Sequence, residues 1–356
     1  MRAAAAAAGL LAVASVSVTG TPATRTVRVG RDPIAAFTQD GGMLAWLGVG
    51  GANCNSVRVL AADGSRLTAP QPADDSMTCH WDVDEGHPQL ALAARSSAAL
   101  WTLHEGGGVS TDFVMAAGLG GREVRVDRLA HDADGTGLWL GGLAGSGTTL
   151  AYSVADVEYA NEMACLSGGS CRRRIAGGGV RVVANGTARL LPGTKPALAI
   201  STAAGRLAYV EAAAGPTGPI ASASLPVRIV DANSGEPVCS IQPGGEPLAL
   251  SLASDVLAVL TRSGDTDTVS WYDAARGTRL GRIRVASHTA PELAASNRLV
   301  VYRVGRVLRG IALPSGLVRT LVRATTPPVG FSLAGRSLAW AENRATGGRI
   351  HVLGVR

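Results

Sequence analysis

The chain has 356 residues, of which 46% are hydrophobic and 17% are charged. This composition provides enough apolar surface for a large core and excludes an intrinsically disordered protein. The net charge is +6, but the basic residues, among which Lys195 is the only lysine, form short groups without interleaved aromatic residues. The sequence therefore predicts no nucleic-acid binding, and an acidic surface partner such as a cell-wall polymer stays an alternative.

Residues 1–23 have the features of a secretory signal peptide. Arg2 precedes an uncharged run from Ala3 to Val18, and small residues follow, so cleavage is expected after Ala23. The run is shorter than the roughly 20 apolar residues that a membrane-spanning helix requires. We therefore expect a secreted, extracytoplasmic protein with no membrane span after signal cleavage. An Ala-rich helical leader is the alternative.

Two later segments repeat one pattern without a gap. Residues 227–241 (VRIVDANSGEPVCSI) and 269–283 (VSWYDAARGTRLGRI) each hold an apolar strand, an Asp, three residues, a Gly and a second strand, and they start 42 positions apart. A period near 40 residues with about four short strands per unit is typical of a β-propeller. A second pattern, two apolar runs around a turn, recurs along the chain and predicts strands a and b of each blade. The expected blades are 33–75, 89–130, 138–193, 197–243, 248–287, 292–324 and 329–356.

The two ends of the chain suggest how the ring closes. The last predicted blade ends after its third strand, and residues 24–30 (TRTVRVG) precede the first blade without a partner. Pairing between them would remove the open edge. We therefore predict an all-β, seven-bladed β-propeller, closed by pairing of the N-terminal strand with the last blade, as a single domain over residues 24–356.

These repeated phrases resemble those of secreted bacterial β-propellers of the TolB-like and YVTN/WD40-like classes. The resemblance covers essentially the whole mature chain and implies the propeller architecture. The stretch DAARGTRL at 273–280 also looks like the Asp-Ala-x-x-Gly repeat of quinoprotein propellers.

The five cysteines agree with export, because disulfides persist in oxidising compartments. The Gly-rich spacer of CLSGGSC allows Cys165 and Cys171 to form a bridge, and Cys54 and Cys79 are expected to pair between neighbouring blades. Cys239 is then left over. A zinc site is the rival interpretation, but no paired CxxC or HxxxH spacing accompanies the cysteines.

Strand direction assigns every connection to one of two faces. The a–b and c–d turns share one face, here called the turn face, and the b–c and d–a connections share the other, here called the loop face. The long connections, near 48–55, 70–88, 160–178 and 212–226, all belong to the loop face, and long loops are usually functional or disordered. A polar structural loop is the alternative. The candidate binding residues on this face are His80, Trp81, Asp82, Arg172, Arg173 and Arg174.

No catalytic motif accompanies this architecture. The sequence has no Gly-x-Ser-x-Gly elbow, no HExxH and no dinucleotide fingerprint, and the predicted inner strands carry one main carboxylate, Glu292. We therefore predict a monomeric, non-catalytic binding or scaffold module without cofactor or metal, whose partner is a protein or a cell-envelope component. A propeller enzyme of the lactonase, lyase or quinoprotein kind is the alternative.

Overall fold

The computed structural model describes residues 24–48, 57–68, 88–106, 108–121, 123–161, 171–286 and 289–355. Every long regular element in these ranges is a β-strand, and they contain no helix that is long and apolar enough to cross a membrane. The strands are rich in Val, Leu and Ala, which pack well on a pleated surface, and glycines with positive φ occupy many of the turns between them.

The N-terminal part of the chain supplies one isolated strand and one complete sheet. The isolated strand is β1 (Thr24–Arg28). Blade I is a four-stranded antiparallel sheet of β2 (Ile34–Asp40), β3 (Met43–Gly48), β4 (Val57–Leu60) and β5 (Arg66–Thr68).

The next part of the chain forms one continuous eight-stranded sheet, here called the double sheet. Its strands follow chain order from one edge to the other. They are β6 (Leu90–Ala93), β7 (Ala98–Glu105), β8 (Val109–Gly118), β9 (Glu123–Asp132), β10 (Gly137–Ser146), β11 (Thr149–Tyr159), β12 (Arg173–Ala184) and β13 (Thr187–Leu190).

Two four-stranded blades follow. Blade II consists of β14 (Ala197–Ala203), β15 (Arg206–Glu211), β18 (Val227–Asp231) and β19 (Pro237–Ile241), and a small hairpin of β16 (Ala213–Ala214) and β17 (Pro219–Ile220) interrupts it. Blade III consists of β20 (Glu246–Leu252), β21 (Val256–Ser263), β22 (Thr266–Asp273) and β23 (Arg279–Val285).

The last two blades complete the ring. Blade IV consists of β24 (Leu293–Ala295), β25 (Leu299–Val304), β26 (Val307–Ala312) and β27 (Val318–Arg323). Blade V consists of β28 (Gly330–Ala334), β29 (Ser337–Arg344) and β30 (Gly347–Gly354), with β1 as its outer strand. The innermost strands contact one another in the order β2, β6, β10, β14, β20, β24 and β28, and β28 contacts β2.

The all-β propeller fold is therefore confirmed, but the prediction of a seven-bladed propeller is wrong. Five blades have four strands each, and the segments predicted as the second and third blades form the double sheet. The junction is a pair between Gly137 of β10 and His131 of β9. A Cβ atom at Gly137, which has φ +111°, would lie 2.5 Å from the carbonyl oxygen of Ala130, so only glycine allows this approach.

The pairing predicted for the N-terminal strand is observed. β1 pairs antiparallel with β30, from Thr24 opposite Leu353 to Arg28 opposite Arg349. The next residue, Val29, is buried in an apolar cluster that joins blade V to blade I. The first and last blades are therefore held together by strand pairing and by a shared core.

The repeated Asp-x-x-x-Gly phrase forms the same c–d turn in blades II and III. Asp231 and Asp273 each accept hydrogen bonds of 2.9 Å from the backbone N–H groups two and three residues later. These bonds lower the pKa of both carboxyl groups. Gly235 and Gly277, with φ of +80° and +70°, complete the turns. The phrase is structural.

Glu123 makes the stability of the double sheet depend on pH. Burial raises the pKa of this carboxyl group from 4.5 to about 7. Because the folded state binds the proton more tightly than the unfolded state, this contribution to stability is present below pH 4.5 and is lost as the pH rises to about 7. We expect Glu123→Gln to raise the free energy of unfolding at pH 8.5 by about 1–2 kcal/mol, allowing for solvent screening of a half-buried group, and to leave it unchanged near pH 4.

Urea unfolding at both pH values measures this effect. Glu105→Gln, at an exposed carboxylate in the same sheet, is the matched control and should have no such pH dependence. Equal stability of Glu123→Gln and the wild type at pH 8.5 would contradict the prediction.

Candidate functional site

Three of the six candidate binding residues of the loop face, His80, Trp81 and Asp82, lie outside the described residues. The predicted bridge residues Cys54, Cys79 and Cys165 lie outside them too. The Cys54–Cys79 and Cys165–Cys171 bridges therefore stay predictions. Cys239 is a free, half-buried thiol whose pKa is raised by burial.

The arginine run at 172–174 is described, and two of its members belong to a strand. Arg173 and Arg174 begin β12, where they lie opposite Tyr159 and Glu158 of β11. The guanidinium group of Arg173 lies 5.5 Å from the ring centroid of Tyr159, and Arg174 forms a 3.2 Å ion pair with Glu158. The predicted loop between strands b and c of this segment is therefore shorter than the sequence indicated.

Asp134 organises the loop-face turn that the Arg173 side chain reaches. Its carboxylate accepts hydrogen bonds from the Tyr159 hydroxyl at 2.6 Å and from the backbone and hydroxyl of Thr136 at 2.9 and 2.8 Å. These bonds hold the pKa of Asp134 below its usual range. Arg173 donates to the Asp134 carbonyl oxygen. All these groups act on one another, so this cluster stabilises the turn.

Ion pairs lie near the loop-face ends of blades II to V. Three of them join different segments of a blade, and the fourth, in blade V, lies within β29. They connect Arg228 with Glu211, Arg262 with Asp267, Arg303 with Glu292, and Arg344 with Glu342. Glu292, the carboxylate that the sequence placed on the inner strands, accepts two bonds from Arg303, of 2.7 and 3.0 Å. Within the described ranges, no group of three or more His, Cys, Asp or Glu side chains could hold a metal ion.

A strongly basic region covers adjacent parts of blades III, IV and V. Residues 276–336, here called the basic sector, contain eleven arginines and one carboxylate residue, Glu292, whereas the rest of the chain has 22 basic and 26 acidic residues. Ten of the eleven arginines are exposed, and Arg303 is the half-buried exception. Because these arginines are spaced along several strands, a search for contiguous basic runs misses them. A charge count in a moving window along the chain would have found them.

An axial cavity of about 850 Å³ lies at the turn-face end of the inner strands. The lining comes from all five blades and from the double sheet, and includes turn residues such as Gly41, Ser254, Asn297 and Gly335. The cavity is therefore on the face opposite to the long connections on which the sequence placed the candidate site.

Several polar side chains of the lining bind backbone groups of the next sheet. Ser201 accepts a 3.0 Å hydrogen bond from the N–H group of Leu252, and Ser251 accepts a 2.9 Å bond from that of Ala295. The Gln39 amide donates to two carbonyl oxygens of blade V, at 2.6 and 2.7 Å. These hydroxyl and amide groups connect the blades around the cavity.

The one carboxylate of the described lining is also engaged. Asp40 accepts 2.8 Å bonds from the N–H groups of Ala94 and Gly147, and a 3.4 Å bond from the Ser146 hydroxyl. It thereby joins blade I to two turns of the double sheet. The cationic groups of the lining, Arg298 and Arg336, are exposed, and neither takes part in an ion pair within the described part of the chain.

Comparisons with known proteins assign no family. No protein-family model matches the sequence. No curated protein sequence matches it. The chain is similar to apo AztD from Citrobacter koseri with 12% identity and a TM-score of 0.44, over 90% of this chain and 76% of that chain.

Two further solved structures have comparable scores. The Dos1 propeller has 8% identity and a TM-score of 0.49, over 94% of this chain and 95% of that chain. A chain of the mitotic checkpoint complex has 15% identity and a TM-score of 0.48, over 100% and 99% of the two chains. The propeller assignment made above rests on the strand pairing of this chain.

Proposed function

We propose that the protein is a non-catalytic binding module whose basic sector binds an acidic partner, either a protein or a component of the cell envelope. The observation that carries the proposal is the concentration of eleven arginines and a single carboxylate residue within residues 276–336. A patch with one sign of charge attracts an oppositely charged partner over distances of about 8 Å at physiological ionic strength.

The arginines on the outer strand of blade III favour a partner with an extended chain. Arg282 and Arg284 are exposed and two residues apart on β23, so their backbone positions are about 6.6 Å apart on one side of the strand. Ile283 and Val285 alternate with them and pack in the core between blades III and IV. A regular row of guanidinium groups fits a chain with repeated anionic groups, each of which a guanidinium can bind through two parallel hydrogen bonds.

Export is part of this proposal, because a cell-envelope partner requires an extracytoplasmic protein, and residues 1–23 have the pattern of a signal peptide. The resemblance to TolB-like and YVTN/WD40-like propellers is, like export, a hypothesis. A contribution of the loop face, through His80, Trp81, Asp82 and the Arg172–Arg174 run, stays a prediction.

Binding to poly-L-glutamate, measured by biolayer interferometry at 20 and 200 mM salt, tests the proposal. We expect the affinity to fall with salt, since screening weakens contacts between exposed charges. The triple variant Arg279→Gln, Arg282→Gln and Arg284→Gln should lose at least tenfold in affinity.

The control removes the same charge from outside the basic sector, with Arg66→Gln, Arg95→Gln and Arg128→Gln. These three residues are exposed, and we expect a change below threefold. An equal loss in both triple variants would mean that only net charge matters and would refute a dedicated basic sector. Absence of binding by the wild type at 20 mM salt would refute the proposal for acidic polypeptides.

A further inference from the structure

The axial cavity lies away from the outer strands of the basic sector, and it fits a much smaller ligand than they do. We propose that it is a second binding site, which takes a small di- or tricarboxylate between the guanidinium groups of Arg298 and Arg336. Arg298 and Arg336 belong to the basic sector, but the test of the proposed function substitutes Arg279, Arg282 and Arg284, which lie outside the cavity lining. This inference therefore does not depend on the proposed function, and its ligand is of a different size.

The dimensions of the cavity suit a small molecule. Its volume of about 850 Å³ falls within the range of about 300–1,000 Å³ that small-molecule sites have. A metabolite-sized acid therefore fits within it, whereas a folded partner could contact only its rim.

The charged groups of the lining that stay available to a ligand are cationic. The amide of Gln39 and the carboxylate of Asp40 already bind neighbouring sheets. Three donors surround the Asp40 carboxylate and lessen its repulsion of an anion. The charged side chains that the described ion pairs leave available to a ligand are Arg298 and Arg336, which are exposed at the cavity. Each guanidinium group matches one carboxylate in a bidentate geometry.

The turn that carries Arg298 is held in place before any ligand binds. The Asn297 amide donates to the Ser254 hydroxyl at 2.7 Å and to the Asp255 carboxylate at 2.6 Å, and its oxygen accepts the N–H group of Asp255 at 3.0 Å. These bonds fix the β24–β25 turn of blade IV against the β20–β21 turn of blade III. Anchoring of this kind lowers the entropic cost of binding.

The turn that carries Arg336 is anchored in a similar way. The carbonyl oxygen of Arg336 accepts a 2.8 Å hydrogen bond from the N–H group of Val355. Gly335, with φ +58°, adopts a backbone conformation that other residues rarely take. Blades IV and V pack face to face, and such sheets lie about 10 Å apart. Because both turns line the same cavity, we expect two carboxylates of one small molecule to span them.

Isothermal titration calorimetry of the full chain with citrate tests this inference, with acetate as the monoanionic comparison. We expect citrate to bind with one site per chain and at least tenfold more tightly than acetate. The double variant Arg298→Gln/Arg336→Gln should lose at least tenfold in citrate affinity, and each single variant should lose an intermediate amount.

Arg95→Gln removes an exposed arginine from another turn of the same face, outside the cavity lining, and should change citrate affinity by less than twofold. The double variant should retain the wild-type melting temperature, which shows that it is folded. No one-to-one binding of citrate by the wild type, or unchanged binding by the folded double variant, would overturn the inference. The test with poly-L-glutamate uses a different variant, at Arg279, Arg282 and Arg284, and a different ligand. Its outcome does not decide the outcome with citrate, so the two proposals can fail separately.

Discussion

Deletion of residues 24–30 should lower the melting temperature by about 5–10 °C, because it removes the strand that closes the propeller. The loss includes the five residue pairs between β1 and β30 and the burial of Val29, which is 5% exposed. It also removes the contact between the Thr26 hydroxyl and Nδ1 of His351, which are 3.0 Å apart. Burial lowers the pKa of the His351 imidazole. The edge of β30 then presents unpaired N–H and C=O groups to solvent.

Two substitutions separate the role of the strand from that of its charges. Val29→Asp places a carboxylate in the cluster between blades V and I and should destabilise the fold to a comparable extent. Arg25→Ala/Arg28→Ala changes exposed side chains of the same strand and should shift the melting temperature by less than about 2 °C. A deletion variant that melts like the wild type would show that closure by β1 contributes nothing to stability.

Local patterns of the sequence predicted the strands well because those patterns have local physical causes. The apolar runs around Asp40 and the turn glycines Gly41 and Gly42 correspond to β2 and β3, and the Asp-x-x-x-Gly phrases correspond to turns capped by Asp231 and Asp273. In each case the signal and the structure involve residues within a few positions of each other.

The number of separate blades was not predictable in the same way. The double sheet exists because β9 and β10 approach closely at His131 and Gly137, and Trp139 stacks on His131 with ring centroids 3.6 Å apart. Nothing in the pattern of hydrophobic residues distinguishes this glycine from one that only ends a turn. The strand phrases indicate where a blade begins but not whether its edge pairs with the next blade.

The candidate sites also differ in whether the sequence could predict them. The loop face was inferred from connection lengths, and the Arg172–Arg174 run was placed there because it falls within the long connection predicted at 160–178. The basic sector has more charge, but its arginines are interleaved with strand residues, and the significance of Arg298 and Arg336 depends on which turns meet at the cavity. A contact of that kind follows from closure of the ring and has no local signature.

Some charged residues of the chain stabilise the fold, and the ion pair of Arg262 and Asp267 has a fully buried carboxylate. The two residues lie opposite each other on β21 and β22. Asp267 is fully buried, and its two oxygens accept bonds of 2.8 and 3.0 Å from Arg262 and one of 3.0 Å from the N–H group of Thr289. The carboxylate thereby also holds the segment that leads from blade III into blade IV.

Arg262→Ala should therefore lower the melting temperature by about 5 °C, since removal of one partner leaves an uncompensated charge in the interior. The deficit should be smaller at pH 5 than at pH 8, because the stranded carboxylate can take up a proton at lower pH. Adding Asp267→Asn to Arg262→Ala should recover part of the loss, because the buried group is then neutral. Calorimetric melting at both pH values measures all three effects.

Arg276→Ala is the matched control in the same blade. Arg276 also pairs with an aspartate, Asp273, but at 3.7 Å and with a side chain that is 80% exposed. Exposed pairs contribute little because water and salt screen them, so we expect a change below about 2 °C. If Arg262→Ala and Arg276→Ala melt alike, burial of Asp267 does not decide the energetics of this pair. A large difference between them would show that the ion pairs of this blade differ in energy according to how deeply each carboxylate is buried.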